Sequence, residues 1–502
     1  MEHFRTALSV SESLERLVAP SFGPCGLDCL VTSATGDILV SNDGFHILGA
    51  IDVRRPCGKL ILDAMKMHHG RHGGNSKAFI LMLTAALRKI NALADSIQNI
   101  ARLARLLAAE WIRKYDVINR KILEISVRDV DYGDVIETFL RGKFGPKVRT
   151  TLRGLIQNLS LSSELIDWLD VCSIQVAGLP LERSCTVNGI VINRDLNYSR
   201  NTHPSPHFIV VKESLTFPAP TRASFTAGHH SSLTDLLSQE KSFLNRVSTH
   251  LKQRGVSLVL CTENISIKFA QLFHREGIST VSHIPEEDAT FICTTLSIEP
   301  CSLLDCLDLS PKALHRFTEV DTLTIGRETC THIRGVPGAY LILCGPTRGI
   351  TKVYYNAIYN GLKMLRVWLE VSKGLAVPGA GAAELALAHH AEKHVERPIS
   401  LILQAMLLSV PKALHENSHA IRKNRRGRFI EVLSRWECLS GIDSNSGDLI
   451  VPRHLGIVEP KANLLNLVQD VISLVVQICR IDGIVSVRRF PPKNDDDTNE
   501  EL

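Results

Sequence analysis

Four short turns hold the residues of this sequence best suited to chemistry: Gly23-Pro24-Cys25-Gly26, Asn42-Asp43-Gly44, Gly73-Gly74-Asn75-Ser76 and Gly379-Ala380-Gly381. Glycine lets a backbone approach a ligand closely, and a helix N-terminus presents unpaired N–H groups to an anion, so turns of this kind can cradle phosphate. One alone says little, because most glycine turns are only turns. None fits the Gly-x-x-x-x-Gly-Lys-Ser/Thr phosphate loop or the Gly-x-Gly-x-x-Gly dinucleotide turn. Other chemistries find less support. No Gly-x-Ser-x-Gly elbow is present. His68, His69 and His72, and likewise His389, His390 and His394, fall at helical spacing. Neither set has a carboxylate or cysteine at a useful offset in sequence, so both are expected at the surface or partly packed, without a metal. The basic run from Arg422 to Arg428 is expected to be a solvated face.

The turns need rigid elements to hold them. Phe4, Ala7, Leu8, Leu14, Leu17 and Val18 follow helical spacing up to Pro20. Leu30-Val31, the turn Ala34–Asp37 and Ile38-Leu39-Val40 predict a β-hairpin. A helical segment is expected from Phe45. Pro56 suits the first turn of the next helix, which Gly70 to Gly74 should interrupt, and a long helix follows from Lys77 to about Ala94. Residues 120–185 read as mostly helical. Between 186 and 330 strands (Val187–Ile192, His207–Lys212, Val256–Cys261, Thr290–Cys293) alternate with helices (Leu233–Lys252, Ile265–Arg275), with loops at Pro204, Pro206, Pro218 and Pro220. The chain is expected to be helical again over 337–375, then from Gly381, and over the apolar Leu464–Arg480.

Composition narrows the function. A chain of 502 residues with 44% apolar and 22% charged residues is globular and long enough for two to four domains. Its 57 basic and 52 acidic residues leave a charge of +5, too mild and dispersed for nucleic acid or an anionic membrane to be the main partner. No uninterrupted apolar run reaches the roughly 18 residues of a membrane span, and 464–480, broken by Asn466, Gln469, Asp470 and Gln477, reads as core. The start has no secretory layout, and the 13 scattered cysteines never form Cys-x-x-Cys. The expectation is a reduced, intracellular, soluble protein ending in an acidic, disordered tail.

In order along the chain, the turns carry more information than they do singly. Ser21–Asp28, Thr35-Gly36-Asp37-Ile38 and Ser41–Leu48 resemble the equatorial domain of group II chaperonins. Val377–Leu385 is similar to that family's second nucleotide turn, and Val410–Asn417 to the segment after it. Gly441-Ile442-Asp443, Val458-Glu459-Pro460 and Cys479–Ile484 resemble its C-terminal motifs. Val187–Ile192 is similar to the entry of the apical domain. The resemblance implies a multidomain α and α/β subunit: a helical equatorial domain from 1–122 and 377–490, a small intermediate domain from 123–187 and 331–376, an inserted α/β apical domain at 188–330, and a tail at 491–502. It also implies an ATP site with magnesium, lined by Gly23, Pro24, Gly26, Asn42, Asp43, Gly44, Gly73, Gly74, Asn75, Ser76, Lys77, Gly379, Ala380, Gly381 and Glu459.

Several positions depart from the family pattern. Where active chaperonins read Gly-Asp-Gly-Thr-Thr and use the aspartate for magnesium, this chain has Gly74 followed by Asn75, Ser76 and Lys77. Magnesium prefers carboxylate oxygens, so nucleotide binding should be weak or regulatory. The family's His-Asp-Ala, whose aspartate activates water, aligns with Tyr359-Asn360-Gly361. An amide cannot serve as the base, and losing general-base catalysis costs about 10²–10⁴-fold. Cys25 replaces a common lysine, Lys77 could return a charge near the phosphates, Glu459 stands for aspartate, and Asp43 is kept. No residue is therefore assigned a catalytic role, and ATP hydrolysis is expected to be weak or absent.

This erosion resembles the Bardet–Biedl chaperonin-like branch. That likeness implies a chaperone acting with cytosolic chaperonin subunits on client proteins, in particular in assembling the BBSome of primary cilia, in the cytoplasm and at the centrosome or basal body. The short stretch before the first helix leads to the further expectation that the chain forms no ring by itself. An active ATP-driven ring chaperonin and a nucleotide-free adaptor are the alternatives.

Overall fold

The computed structural model describes residues 2–32, 38–97, 100–159, 166–197, 206–217, 230–424 and 429–483. The turn at Thr35-Gly36-Asp37, the prolines 204, 218 and 220, Arg425–Arg428 and the acidic tail lie outside them. The chain divides into two compact units, 1–143 with 367–502, and 144–366.

The first half of the first unit runs α1 (Glu2–Val18), β1 (Cys29–Thr32), β2 (Ile38–Ser41), α2 (Gly44–Gly49), α3 (Pro56–His72), α4 (Ser76–Ile97), α5 (Ile100–Ile125) and α6 (Tyr132–Arg141). The hairpin expectation holds, with Cys29 opposite Ser41 and Thr32 opposite Ile38. Pro56 sits in the first turn of α3, where its missing N–H has no partner to lose. The helix then continues through Gly70 and stops at Gly73, whose φ of +70° is the left-handed cap that glycine allows.

The second unit holds α7 (Pro146–Leu159), β3 (Ser173–Ala177), β4 (Cys185–Asn188), β5 (Ile190–Ile192), β6 (His207–Val211), α8 (His230–Gln253), β7 (Val256–Cys261), α9 (Ile267–Glu276), β8 (Ser279–Val281), α10 (Glu286–Leu296), β9 (His315–Arg316), β10 (Glu319–Ile325), β11 (Glu328–Arg334), β12 (Ala339–Gly345) and α11 (Arg348–Arg366). β8, β7 and β6 are parallel neighbours and β9 pairs antiparallel with β6. The whole of β7 is buried, as a parallel strand covered on both faces must be, with Phe269 and Phe273 of α9 in its core.

Four expectations fail here. The segment Thr290–Cys293 is helical, inside α10: Pro285 precedes it, Glu286, Glu287 and Asp288 fill its first turn, and Ala289, Ile292 and Leu296 face the core at helical spacing. The run Val187–Ile192 is broken at Gly189, whose φ is +109°; the halves join different sheets, β4 with β12 and β5 with β11. The 120–185 region includes the strand β3. The start of 337–375 is the fully buried strand β12, which pairs parallel with β3. An apolar run with no polar side reads alike as strand or helix, and its pairing partner decides.

The chain returns to the first unit with β13 (Ala376–Pro378), α12 (Ala382–His394), α13 (Ile399–Glu416), α14 (His419–Asn424), α15 (Phe429–Ser434), β14 (Gly441–Ile442), β15 (Leu449–Ile450), β16 (Val458–Pro460) and α16 (Lys461–Arg480). The core is centred on α4, where Phe79, Ile80, Met82, Leu83 and Leu87 are fully enclosed, with α1, α13 and α16 packed around it. Each such side chain contributes roughly 1.5–3 kcal/mol. By length and composition α16 could cross a membrane, yet 67% of its apolar window is buried against this core.

Candidate functional site

The turn after α1 is set by its own backbone. Phe22 N donates to Ala19 O, Gly26 N to Gly23 O and Leu27 N to Pro20 O. Gly23 has φ +84°, and a Cβ on Gly26 would stand 2.2 Å from Ser21 O, so neither position accepts a side chain. Side chains from the far end of the chain hold the turn from behind. Asn417 Nδ2, just past α13, donates to Ala19 O (2.6 Å) and Phe22 O (3.0 Å). The Arg422 guanidinium donates to Pro20 O (2.6 Å), Cys25 O (2.7 Å) and Asn417 Oδ1. Arg422 is thus the one part of the basic run within the described side chains, and it is not a solvated face. It also brings a positive charge beside Cys25, where the charge seemed lost; nothing in its local sequence signals this.

The second turn meets the first through Lys77. Asp43 caps α2, accepting from Phe45 N at 2.9 Å, and its other oxygen pairs with Lys143 Nζ at 3.0 Å. Burial pushes the Asp43 carboxyl up, but Lys143, His69, His46 and the Phe45 N–H outweigh this and hold it well below the usual carboxylate range. Lys77, in the first turn of α4, lays its stem across Gly44, where a Cβ would come within 2.4 Å of Lys77 Cγ. Its ammonium donates to Ser21 O (2.6 Å), Asn42 O (2.9 Å) and Asn42 Oδ1 (2.6 Å). Burial pushes Lys77 down to about 8 while Asp43 supports it, so the group is charged at neutral pH. An ammonium has three protons to give, and all three go to these oxygens. Lys77 thus keeps its positive charge while its N–H groups are taken up by three neutral oxygens.

The third turn lies under α6. Asn75 has φ +65°, and Ser76 Oγ hydrogen-bonds His69 Nδ1 at 2.8 Å, with the His69 ring stacked on Phe45. A Cβ on Gly74 would meet only Phe139, at 3.7 Å. Space and backbone would both accept a side chain there, so the missing carboxylate is not forced by packing. Lys143 Nζ sits 4.2 Å over the Phe139 ring, which places α6 and the residues after it along the same edge.

The fourth turn rests on α13. β13 pairs antiparallel with β16, with Val377 opposite Glu459, and Gly379 N donates to Ile457 O. Ala380 and Gly381 have φ +54° and +77° and lead into α12. A Cβ on Gly381 would stand 2.9 Å from Pro411, while one on Gly23 would stand 2.7 Å from Leu414. Pro411 and Leu414 are neighbours on one face of α13, so a single helix backs both the first and the fourth turn. Glu459 Oε1 lies 3.5 Å from where a Cβ on Gly379 would be. Nearby Glu384 is buried; burial, with the charge of Glu459, raises its carboxyl well above the usual range, and burial raises Glu459 as well. Thr138 of α6 accepts from Val458 N and donates to Gly456 O, tying this strand to α6.

Gly23, Gly26, Asn42, Asp43, Gly44 and Lys77 are thus brought into contact. Gly74, and the Gly379–Gly381 turn with Glu459, are joined to them through α6 and α13. Asn360 belongs to the other unit, buried in α11 at 5% exposure. The donor set tests the fit of a magnesium nucleotide. Glycine turns, helix N-termini and cations suit phosphate, but Asp43, the carboxylate available for a divalent ion, is already paired with Lys143.

The histidines of α3 are not at the surface. His68 is enclosed and hydrogen-bonds Asp470 of α16 through Nδ1 at 2.7 Å; burial and His68 push His72 down to about 4. His68, His72 and Asp470 offer ligand atoms within 4.8 Å of one another, a donor set able to take a zinc-like ion. The carboxylate missing from the local sequence is supplied by a helix 402 residues away. Two described surface cavities lie in the second unit: one of about 680 Å³ along α8 and one of about 800 Å³ beside β3 and α11.

Comparison with known proteins gives a consistent result. The model of the TCP-1/cpn60 chaperonin family matches residues 14–489. The chain is 23% identical to thermosome subunit alpha of Thermoplasma acidophilum, over 97% of this chain and 92% of the relative. It is 23% identical to a thermosome subunit of Methanocaldococcus jannaschii, over 94% and 90%. With T-complex protein 1 subunit gamma of Encephalitozoon cuniculi it shares 19% over 95% of each.

Proposed function

This chain belongs to the TCP-1/cpn60 chaperonin family and has the group II chaperonin subunit fold, and from that premise we propose that it is a chaperonin-like protein assisting the folding and assembly of protein complexes through an eroded nucleotide site. The equatorial domain is assigned to 1–122 and 377–490, the intermediate domain to 123–187 and 331–376, and the apical, partner-facing domain to 188–330. Gly23, Pro24, Gly26, Asn42, Asp43, Gly44, Gly73, Gly74, Asn75, Ser76, Gly379, Ala380, Gly381 and Glu459 would line the nucleotide, with Lys77 fixing two of the turns from inside. Magnesium, when bound, would neutralise phosphate charge, and Asp43 could hold it only in exchange for its pairing with Lys143.

The observation that carries this reading is the state of the acidic groups. Asp43 is paired with Lys143, position 74 has no carboxylate although it has room for one, and position 360 carries an amide. Such a site is compatible with binding, with hydrolysis weak or absent. Purified chain is expected to turn over magnesium ATP at background rate, in an assay where thermosome subunit alpha is the positive control. Turnover comparable to that control would support an active ring chaperonin instead. The internal pairing of Lys77 and Lys143 also suits a nucleotide-free adaptor. Millimolar ATP with magnesium raises the melting temperature if the site binds and leaves it unchanged if the chain is an adaptor.

The finer reading is that this chain stands in the Bardet–Biedl chaperonin-like branch, most like the Bardet–Biedl syndrome 10 protein, and acts with cytosolic chaperonin subunits on BBSome assembly in the cytoplasm and near the basal body. It rests on Ala7-Leu8-Ser9-Val10, Thr35–Ser41 and Ile61-Leu62-Asp63 together with the altered positions 74 and 360. Affinity capture of the tagged chain from ciliated cells tests it: chaperonin and BBSome subunits should co-purify, and their absence would remove this assignment while leaving the family unchanged.

A further inference from the structure

His68 and His72 lie one helical turn apart near the end of α3, so both project from the same face, and their ring centroids are 4.8 Å apart. Asp470 of α16 joins them from the other end of the chain, bonded to His68 Nδ1 at 2.7 Å. Both histidines are buried. That one bond does not use up the group's capacity, because His68 Nε2 and His72 Nδ1 are also buried and have no hydrogen-bond partner among the described residues. Two unpaired ring nitrogens enclosed in a core are costly, and a bound cation would remove that cost. The donor atoms of the three residues lie within 4.8 Å of one another. Zinc, with bonds of about 2.0–2.2 Å, needs its ligand atoms about 3.3 Å apart, a contraction within reach of side-chain rotation. Two imidazoles and a carboxylate suit zinc better than magnesium, which prefers oxygen, and zinc outranks ferrous iron in intrinsic affinity. Asp470 keeps 29% of its side chain exposed, which gives the ion a way in and leaves room for a water as fourth ligand.

We propose that His68, His72 and Asp470 form a zinc site that clamps α3 to α16. His72 directly precedes Gly73, the cap of α3, so the ion also fixes the start of the Gly73-Gly74-Asn75-Ser76 turn. The site needs no nucleotide and stands or falls separately from ATP binding.

The test uses the full chain, stripped with a chelator and then equilibrated with micromolar zinc. By metal analysis after dialysis, the wild type should hold one zinc more than His72→Ala or Asp470→Asn. Zinc should raise the wild-type melting temperature by about 3 °C or more and leave both variants unmoved, while magnesium moves none of the three. Cobalt gives a readout that needs no variant. Its first equivalent on the wild type should show the visible bands of a four-coordinate ion and lack the near-ultraviolet band of a cobalt–thiolate bond, which separates this site from the 13 cysteines. One equivalent of zinc should erase those bands. Equal zinc in all three chains, a thiolate band on the first cobalt, or ferrous ion displacing zinc at equal concentration would overturn the proposal. Should either variant fail to fold, the wild-type cobalt spectrum decides: four-coordinate bands without thiolate support the site, and their absence refutes it.

Discussion

Gly26 and Gly74 are the same residue type in neighbouring turns, yet only one needs to be glycine. A side chain on Gly26 would collide with the Ser21 carbonyl, whereas one on Gly74 would touch only the edge of Phe139. Gly26→Ala should lower stability by about 2 kcal/mol or more through a forced backbone shift, while Gly74→Asp should stay within about 0.5 kcal/mol, read as urea midpoints. Packing at position 74 is then compatible with a carboxylate as well as with glycine. Glu384 makes a second point. Its carboxyl is raised by burial and by Glu459, so the folded chain keeps a proton that the unfolded chain releases above the ordinary carboxylate range. The pair's contribution is full in acid and declines as pH rises from about 5 to about 8. Glu384→Gln should flatten that decline and be the more stable chain at the alkaline end, which a set of urea titrations across pH would show.

At the level of elements, α13 and α6 organise the site without supplying its glycine turns. α13 backs Gly381 with Pro411 and Gly23 with Leu414, and Asn417 just beyond it grips two carbonyls of the first turn. Asn417→Ala leaves Phe22 O without its side-chain donor and Ala19 O with Phe22 N, at about 1–3 kcal/mol. The same change should speed amide exchange at Gly26 and Leu27, whose hydrogen bonds close that turn; unchanged exchange would mean that Arg422 alone suffices. α6 and the residues just after it reach three parts of the site, with Phe139 against Gly74, Thr138 on the strand before α16, and Lys143, past the end of the helix, on Asp43. Its sequence reads only as a charged helical stretch, because these contacts are long in sequence and each uses a different residue type.

For the whole molecule, each unit carries its own core. The first is built around α4 from both ends of the chain, and the second around a parallel sheet within one continuous segment. A segment that closes on itself can be expected to fold alone. The fragment 144–366 should therefore give a cooperative urea transition of its own. A fragment that stays unfolded would show that its core depends on the rest of the chain. The first unit cannot be tested by simple truncation, since α1 and α16 both pack on α4 although they lie at opposite ends of the sequence.

The sequence alone determined what depends on local chemistry and linear order. Glycine turns need particular backbone angles, helices need periodic apolar faces, and the succession of these motifs identified a chaperonin subunit. It misjudged what depends on partners. Thr290–Cys293 became helix because its buried residues face a core at helical spacing, and Gly189 divided one apparent strand between two sheets. The histidines of α3 gained Asp470 from the last helix, Arg422 turned inward onto the first turn, and Lys77 aims its N–H groups at three neutral oxygens. Side-chain direction, burial and pairing are set by what the folded chain brings within a few ångströms, and distance along the sequence does not encode that.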